Sequence, residues 1–233
     1  MNPTTEQVSG TGRIGFRIRT DPPRPDPAIV ERLRGIEAAN VADAMGRFRF
    51  MDPGIRSRSG RPLCGPAVTV NTRPGDNLMV HKALEIAKPG DVIVVNTNGD
   101  TTSAVFGELM CHSAVGAHLG GIVVDGAVRD VDGITELGFP SFSRTVSPGS
   151  GDKDGPGEIN YPIACGNVVV MPGDIVIGDS VGVVVVPLED AEEVAAAAEA
   201  IVEKERQRVG QIKEGVLFMP VIDKTLREEG VIS

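Results

Sequence analysis

Residues 107–130, GELMCHSAVGAHLGGIVVDGAVRD, change periodicity half-way along. The first half reads as the end of a helix running from about residue 104 to 119. GGIVVDG then reads as a buried strand, and RDVDGITELG as a short helix behind a turn. An acid beside a glycine opens the unit and an arginine beside an aspartate closes it. In open α/β sheets function gathers at the carboxyl ends of strands, which is where the strand–turn–helix reading places Arg129 and Asp130.

Outward from this unit the alternation continues. GPAVTVNT reads as a strand, DNLMVHKALEIAK as a helix, DVIVVN as a buried strand after a PGD turn, and FPSFSRTV as a strand. Strand and helix alternate from residue 65 to about 146, which predicts α/β layering on a substantially parallel sheet. Before it, PAIVERLRGIEAANVADAMGRF carries one or two helices interrupted near Gly35. After a glycine-rich loop, NVVVMPGDIVIGDSVGVVVVP predicts three short, close antiparallel strands joined by PGD and GDSVG turns. A long helix of strong intrinsic propensity follows, from LEDAEEV to QIKEG. The PGD phrases at 74, 89 and 172 keep no fixed period and mark turns rather than a solenoid. The expectation is a single α/β/β sandwich domain with a helical N-terminal part and a projecting C-terminal helix. Residues 1–26 form an arm or early extended segment, 27–215 the domain and 216–233 a tail.

Composition narrows the function classes. Of 233 residues 41% are hydrophobic, enough for a sizeable core. The formal net charge of −9 gives no general attraction to phosphate backbones or anionic lipid, so neither a nucleic acid nor a membrane is the expected partner. Cys64, Cys111 and Cys165 are odd in number and lack a CxxC spacing, which argues against a disulfide framework and fits a reduced cytoplasm. No stretch approaches the roughly 18 apolar residues of a membrane span. GTGRIG at 10–15 matches a dinucleotide fingerprint only literally, because no strand precedes it. His81, His112 and His118 lack HxxxH spacing and read as structural or surface residues in helices. Lys82 reads as a solvated helix position rather than a Schiff-base lysine. Asp179 reads as a turn former, Asp125 as support for a site, and Asp43 and Asn77 as weaker candidates.

Arginine grips carboxylate or enolate oxygens bidentately, aspartate is a hard oxygen ligand for Mg²⁺ or Mn²⁺, and free N–H groups near Gly107 to Met110 would attract a carboxylate. An RD dipeptide alone more often describes a surface ion pair capping a helix. The longer pattern carries more information. GELM at 107–110, GGIVVDGAVRD at 120–130, the PGD-x-x-x-x-D-x-x-G-x-x-x-x-P stretch within 161–187, and EKERQRVGQIKEG resemble the 4-hydroxy-4-methyl-2-oxoglutarate aldolases. That family also contains the regulator of ribonuclease activity A, a noncatalytic relative. The likeness spans roughly residues 30 to 215.

The resemblance implies a swivelling β/β/α-type domain and a divalent-metal lyase cleaving a 4-hydroxy-2-oxo acid to pyruvate, with oxaloacetate decarboxylation as a companion activity. It implies a homotrimer, or a hexamer of trimers, with the site between subunits. Asp130 would ligate the metal, Arg129 would hold the keto-acid oxygens, and the backbone of Gly107, Glu108, Leu109 and Met110 would receive the carboxylate. Glu108 and an acid from a neighbour's C-terminal helix, Glu205 or in another register Glu203, would reach the water shell. The 47–61 loop and the N-terminal arm are expected to shape the pocket for the group on C4. The alternative is a noncatalytic binding or regulatory protein on the same scaffold.

Overall fold

The computed structural model describes residues 12–232. The chain runs through β1 (Phe16–Ile18), α1 (Pro27–Leu33), α2 (Ala38–Ala44), β2 (Arg56–Ser57), β3 (Leu63–Thr72), α3 (Leu78–Ile86), β4 (Val92–Asn96), β5 (Ser103–Phe106), α4 (Glu108–Gly116) and β6 (Gly121–Val128). It continues through α5 (Val131–Glu136), β7 (Ser141–Val146), β8 (Gly149–Ser150), β9 (Gly157–Ile159), β10 (Ile163–Cys165), β11 (Val168–Val170), β12 (Ile175–Gly178), β13 (Val183–Val186), α6 (Ala191–Lys213) and α7 (Pro220–Glu228).

The central strands β3, β4, β6 and β7 pair in parallel, as the alternation predicts. In β4 the side chains of Ile93 and Val95 join one core, beneath α3, α4 and α5, while Val92 and Val94 join a second core on the other face. Both faces are covered, which explains why this strand reads as an unbroken apolar run. The second core is closed by β10 to β13, and a third packs α1, α2 and the first half of α6 on β12 and β13. The layers are helices, parallel sheet, antiparallel strands and helices. They agree with the sandwich expectation, the helical N-terminal part and the long C-terminal helix.

Strand β3 is the hinge of this arrangement. Its first residues pair antiparallel with β12, Ile175 facing Pro66, and from Ala67 onward it pairs parallel with β4. Pro66 has no N–H to donate and stands where the partner changes.

The three PGD turns share a job. Asp76, Asp91 and Asp174 are all buried. Asp76 accepts from the N–H groups of Leu78, Asp154 and Gly155, Asp91 from Lys88, and Asp174 from Met171 and Leu188. Each carboxylate thus satisfies backbone donors that a buried turn would otherwise leave orphaned.

Several local expectations change. The predicted helix over 104–119 is a strand, β5, followed by α4 after Gly107. Ala104, Val105 and Phe106 are buried through pairing with β6, and tertiary burial overrides a helical reading of a short apolar run. Of the three expected antiparallel runs, β12 and β13 do pair, but β11 pairs with β10 instead. The glycine-rich loop contains β9, which sits between β1 and β3. The described part of the N-terminal arm is stitched to the sheet through β1, and Arg24 forms an ion pair with the buried Asp91. Part of the GTGRIG phrase lies outside the described residues, and the strand next to it follows rather than precedes it. The tail contains α7. His118 lies just past α4 in a left-handed conformation rather than in a helix.

Candidate active site

The site grows from the crossing of β5 and β6. At Ala104 and Phe106 β5 pairs with the end of β6, so the residue after β5, Gly107, lies beside the residues after β6, Arg129 and Asp130. Gly107 is extended and caps α4. A Cβ there would lie 2.7 Å from Asp130 Oδ2 and 3.0 Å from Arg129 Cγ, so this approach requires glycine. Asp130 takes a left-handed φ of 54° and caps α5. Aspartate tolerates that conformation better than most side chains.

Asp130 Oδ2 accepts from the Glu108 N–H at 3.3 Å and lies 3.3 Å from Arg129 Nε. The first-turn N–H groups of Glu108, Leu109 and Met110 have no acceptors within α4, and the helix dipole leaves them partially positive. Among the described residues only the Glu108 N–H finds an acceptor outside it. The structure therefore brings Gly107, Glu108, Leu109, Met110, Arg129 and Asp130 together. Gly107, Leu109, Met110, Arg129 and Asp130 line one cavity of about 200 Å³. The Glu108 carboxylate runs over α5, where Gly133 leaves room for it, and stands 3.8 Å from His112 Nε2.

Of the far wall of the cavity the sequence reading offered only Asn77, as a weaker candidate. That wall is made by Asn77, His81, Ser150 and Lys153. The buried Asn77 Oδ1 has no hydrogen-bond partner among the described residues, so its acceptor capacity is left over on this wall. His81 is an exposed residue at the edge of this wall; partial desolvation, and then the charge of Lys153, shift its pKa below the ordinary histidine value and so favour the neutral imidazole. Lys153 supplies a cation opposite the α4 N-terminus. Within one chain no residue of the 47–61 loop or of the described part of the arm lines this cavity.

Other candidates lie elsewhere. Asp125 holds Arg144 Nε at 2.6 Å and the Gly166 N–H at 2.7 Å, clamping β6 to β7 and β10, and makes no contact with Arg129 or Asp130. Both of its carboxylate oxygens are thus engaged in holding these segments together. Asp179 caps α2 through the Ala38 N–H and closes its own turn on Val181. Asp43 pairs with Arg47, and Lys82 with Glu85 on an exposed helix face. Glu205 accepts from Asn40 Nδ2 of its own chain at 2.8 Å, and Glu203 pairs with Arg206 and Gln207. Within one chain neither reaches the cavity.

The donor set bears on a metal. Among the described residues no three His, Cys, Asp or Glu side chains converge as a closed shell. Asp130 is a lone carboxylate with a half-exposed side chain, and no hydrogen bond among the described residues uses its Oδ1. That suits a hard cation whose shell is completed by waters and substrate better than the closed four-ligand shell of a structural zinc.

A family model described as Aldolase/RraA matches residues 38–185. The chain belongs to the RraA-like family. A Halalkalibacterium halodurans protein, provisionally named a 4-hydroxy-4-methyl-2-oxoglutarate aldolase, is 36% identical to this RraA-like chain over 81% of its length and 90% of that protein's. An uncharacterised protein of Pseudomonas syringae superposes with a TM-score of 0.76 at 28% identity, over 84% of this chain and 92% of that one. The Thermus RNA-processing inhibitor RraA superposes with a TM-score of 0.61 at 27% identity, over 65% of this chain and 92% of that one. No helix among the described residues of the RraA-like chain is long and apolar enough to cross a membrane.

Proposed function

We propose that this RraA-like chain is a divalent-metal-dependent carbon–carbon lyase that releases pyruvate from a small 4-hydroxy-2-oxo acid. 4-Hydroxy-4-methyl-2-oxoglutarate is the leading candidate, and oxaloacetate decarboxylation is a second outlet for the same electron sink. One observation carries the reading: the α4 N-terminus, Arg129 and Asp130 open on a single cavity whose other wall carries Lys153 and an unpartnered Asn77 Oδ1.

In this reading Asp130 holds Mg²⁺ or Mn²⁺, which when bound withdraws electrons from the 2-oxo acid. The N–H groups of Leu109 and Met110 receive the C1 carboxylate, a use of a helix N-terminus that needs no side chain. Arg129 faces the C2 oxygen, where negative charge collects as the C3–C4 bond breaks, and preorganised guanidinium donors are suited to that charge. Glu108, on the solvent side, polarises a water that takes the proton from the C4 hydroxyl. Lys153 and Asn77 orient the distal polar end of the substrate. A neighbouring subunit contributes an acid from α6, Glu205 or Glu203, in a homotrimer or hexamer.

A second reading rests on a specific observation. Glu205 is turned onto Asn40 of its own chain, and the Thermus relative is titled an inhibitor of RNA processing, so a noncatalytic regulator on this scaffold is the alternative. A pyruvate-release assay over a panel of 4-hydroxy-2-oxo acids and oxaloacetate, with Mg²⁺, Mn²⁺ and chelator, separates them. Turnover that chelator abolishes supports the lyase. Turnover indifferent to chelator removes the metal, and no turnover on any acid of the panel favours the regulator.

A further inference from the structure

The carboxyl ends of β3 and β4 carry a short relay of amides with a fixed direction. Asn71 and Asn96 stand in register on the two strands, and Asn98 follows in the turn after β4 with a left-handed φ of 56°. The Asn98 backbone N–H donates to Asn96 Oδ1 at 2.8 Å. A backbone N–H can only donate, so this bond settles which end of the Asn96 amide is oxygen. Asn96 Nδ2 then donates to Asn71 Oδ1 at 2.9 Å and to Asn98 Oδ1 at 3.4 Å. Both neighbours thus spend their oxygens on Asn96. Their NH₂ groups are left over, for no hydrogen bond among the described residues uses Asn71 Nδ2 or Asn98 Nδ2.

Asn71 and Asn98 line a cavity of about 330 Å³ together with Arg17, Arg73, Pro156 and Glu158, and no residue lines both this cavity and the one at Arg129. The two arginines repeat the imbalance. Arg17 spends Nε and Nη2 on Glu158, and Arg73 spends Nε on the Gly155 carbonyl and Nη2 on Asp76 and Asp152. Neither Nη1 enters a hydrogen bond among the described residues. The carboxylate of the cavity is consumed, since Glu158 Oε1 takes the Gly15 N–H and Arg17 Nε, and Oε2 takes Arg17 Nη2. Four donor groups therefore converge from β1, β3 and the turns after β3 and β4, and every carboxylate and amide oxygen of the lining side chains is already engaged. We propose that this cavity is a second ligand site, for a small oxyanion, carboxylate or phosphate, held by Arg17, Asn71, Arg73 and Asn98. Charge-assisted bonds to such an ion are the strong ones, whereas a cation would meet two guanidinium groups and an apolar ligand would strand the donors. The ion would also tie β1 to the sheet, because Arg17 lies in β1 and its three companions lie in or beside β3 and β4. The inference stands apart from the lyase reading, since it uses none of the residues assigned to catalysis and its readout is binding rather than turnover.

The test titrates the full chain calorimetrically with malonate and, separately, with inorganic phosphate, without divalent metal and at an ionic strength held constant with sodium chloride. The tighter of the two identifies the chemistry of the ligand. Asn98→Asp sets a carboxylate where the spare NH₂ group stands, on an exposed residue whose left-handed φ aspartate tolerates, and is expected to weaken binding about 10-fold or more. Asn98→Gly accepts the same φ and only removes the amide; it is expected to weaken binding about 3-fold or more, and it decides the matter should the aspartate variant not fold. Hydrogen exchange locates the site. A state with β1 detached has lost Arg17, so an anion at 100 times its Kd should slow exchange of residues 16–18 about 100-fold in the wild type, and about 10-fold less than that in Asn98→Asp. Absence of binding by either anion up to roughly 10 mM overturns the proposal. So does an affinity unchanged in both Asn98 variants, or protection that appears at residues 108–116 and not at 16–18, either of which would assign the anion to the cavity at Arg129.

Discussion

Glu108 and Asp130, 22 residues apart, are joined by a 3.3 Å hydrogen bond from the Glu108 N–H to Asp130 Oδ2. The bond ties the first turn of α4 to the cap of α5 and fixes which carboxylate oxygen faces inward. Asp130→Asn is the informative substitution, because asparagine tolerates the left-handed φ of 54° and keeps an oxygen for the Glu108 N–H while removing the charge. Pyruvate release is expected to fall by at least ~100-fold with Tm within a few degrees of wild type. Asp130→Ala should lose activity and also unfold earlier. Steady-state kinetics beside a thermal melt check both, and wild-type turnover in the asparagine variant would refute the role.

Gly133 allows activity and stability to be moved in opposite directions. A Cβ at this helical position would collide with the Glu108 carboxyl group and force it to another rotamer. Alanine is also favoured over glycine inside a helix by about 1 kcal/mol. Gly133→Ala should therefore leave the melting temperature unchanged or slightly raised while lowering kcat about 10-fold or more through the displaced acid. An unaltered kcat with unaltered stability would show that the Glu108 carboxylate has no part in the chemistry.

The sandwich was legible because its signals are local. VIVV in β4, set off by the PGD turn before it, and IVV in β6, set off by Gly120 and Gly121, are apolar on both faces. The RD turn was legible for the same reason, since strand end, turn and helix cap are contiguous in sequence. What escaped was set by long-range pairing. Ser103–Phe106 becomes a strand only because the end of β6 is free to accept it, and Gly157–Ile159 only because β1 and β3 flank it. The far wall of the cavity escaped for the same cause. Asn77 was only a weaker candidate, and His81 and Lys153, which join it, come from two segments more than seventy positions apart, so no local spacing announces their convergence. The GELM and RD elements acquired meaning from the length of the pattern around them, not from the residue types alone.

His81 reports on that far wall. Partial desolvation lowers its pKa and the positive charge of Lys153 lowers it further, so Lys153→Met should move the His81 titration upward toward the ordinary histidine value. The direction follows from removing a like charge that disfavours the imidazolium. An NMR pH titration of the ring carbons measures it without reference to catalysis, and no movement would separate Lys153 from the cavity. The same substitution should raise KM for a dicarboxylic substrate about tenfold with less effect on kcat, because a distal cation contributes binding rather than charge stabilisation at the reacting centre.

The N-terminal stitch should make the fold sensitive to acid in a definite window. Burial alone would raise the Glu158 pKa, but the hydrogen bond from Arg17, the Gly15 N–H and the Arg17 charge more than offset it, so Glu158 lies below the ordinary glutamate value. Arg17 Nη2 donates to Glu158 Oε2 at 3.0 Å and the Gly15 N–H to Oε1 at 2.9 Å. A carboxylate whose folded pKa is depressed contributes stability that is present above its unfolded value and lost as pH falls through the folded one. The wild type should therefore lose stability below the ordinary glutamate range, and Glu158→Gln should flatten that part of the curve while being less stable than wild type at pH 7. Because among the described residues β1 pairs with the sheet only through β9, the first consequence should be local. Hydrogen exchange is expected to show residues 16–18 losing protection before β4 or β6, and melts from pH 3 to 7 should show the wild-type and Glu158→Gln curves converging at the acid end. Parallel curves across that range would mean that the Arg17–Glu158 pair contributes nothing to holding the strand.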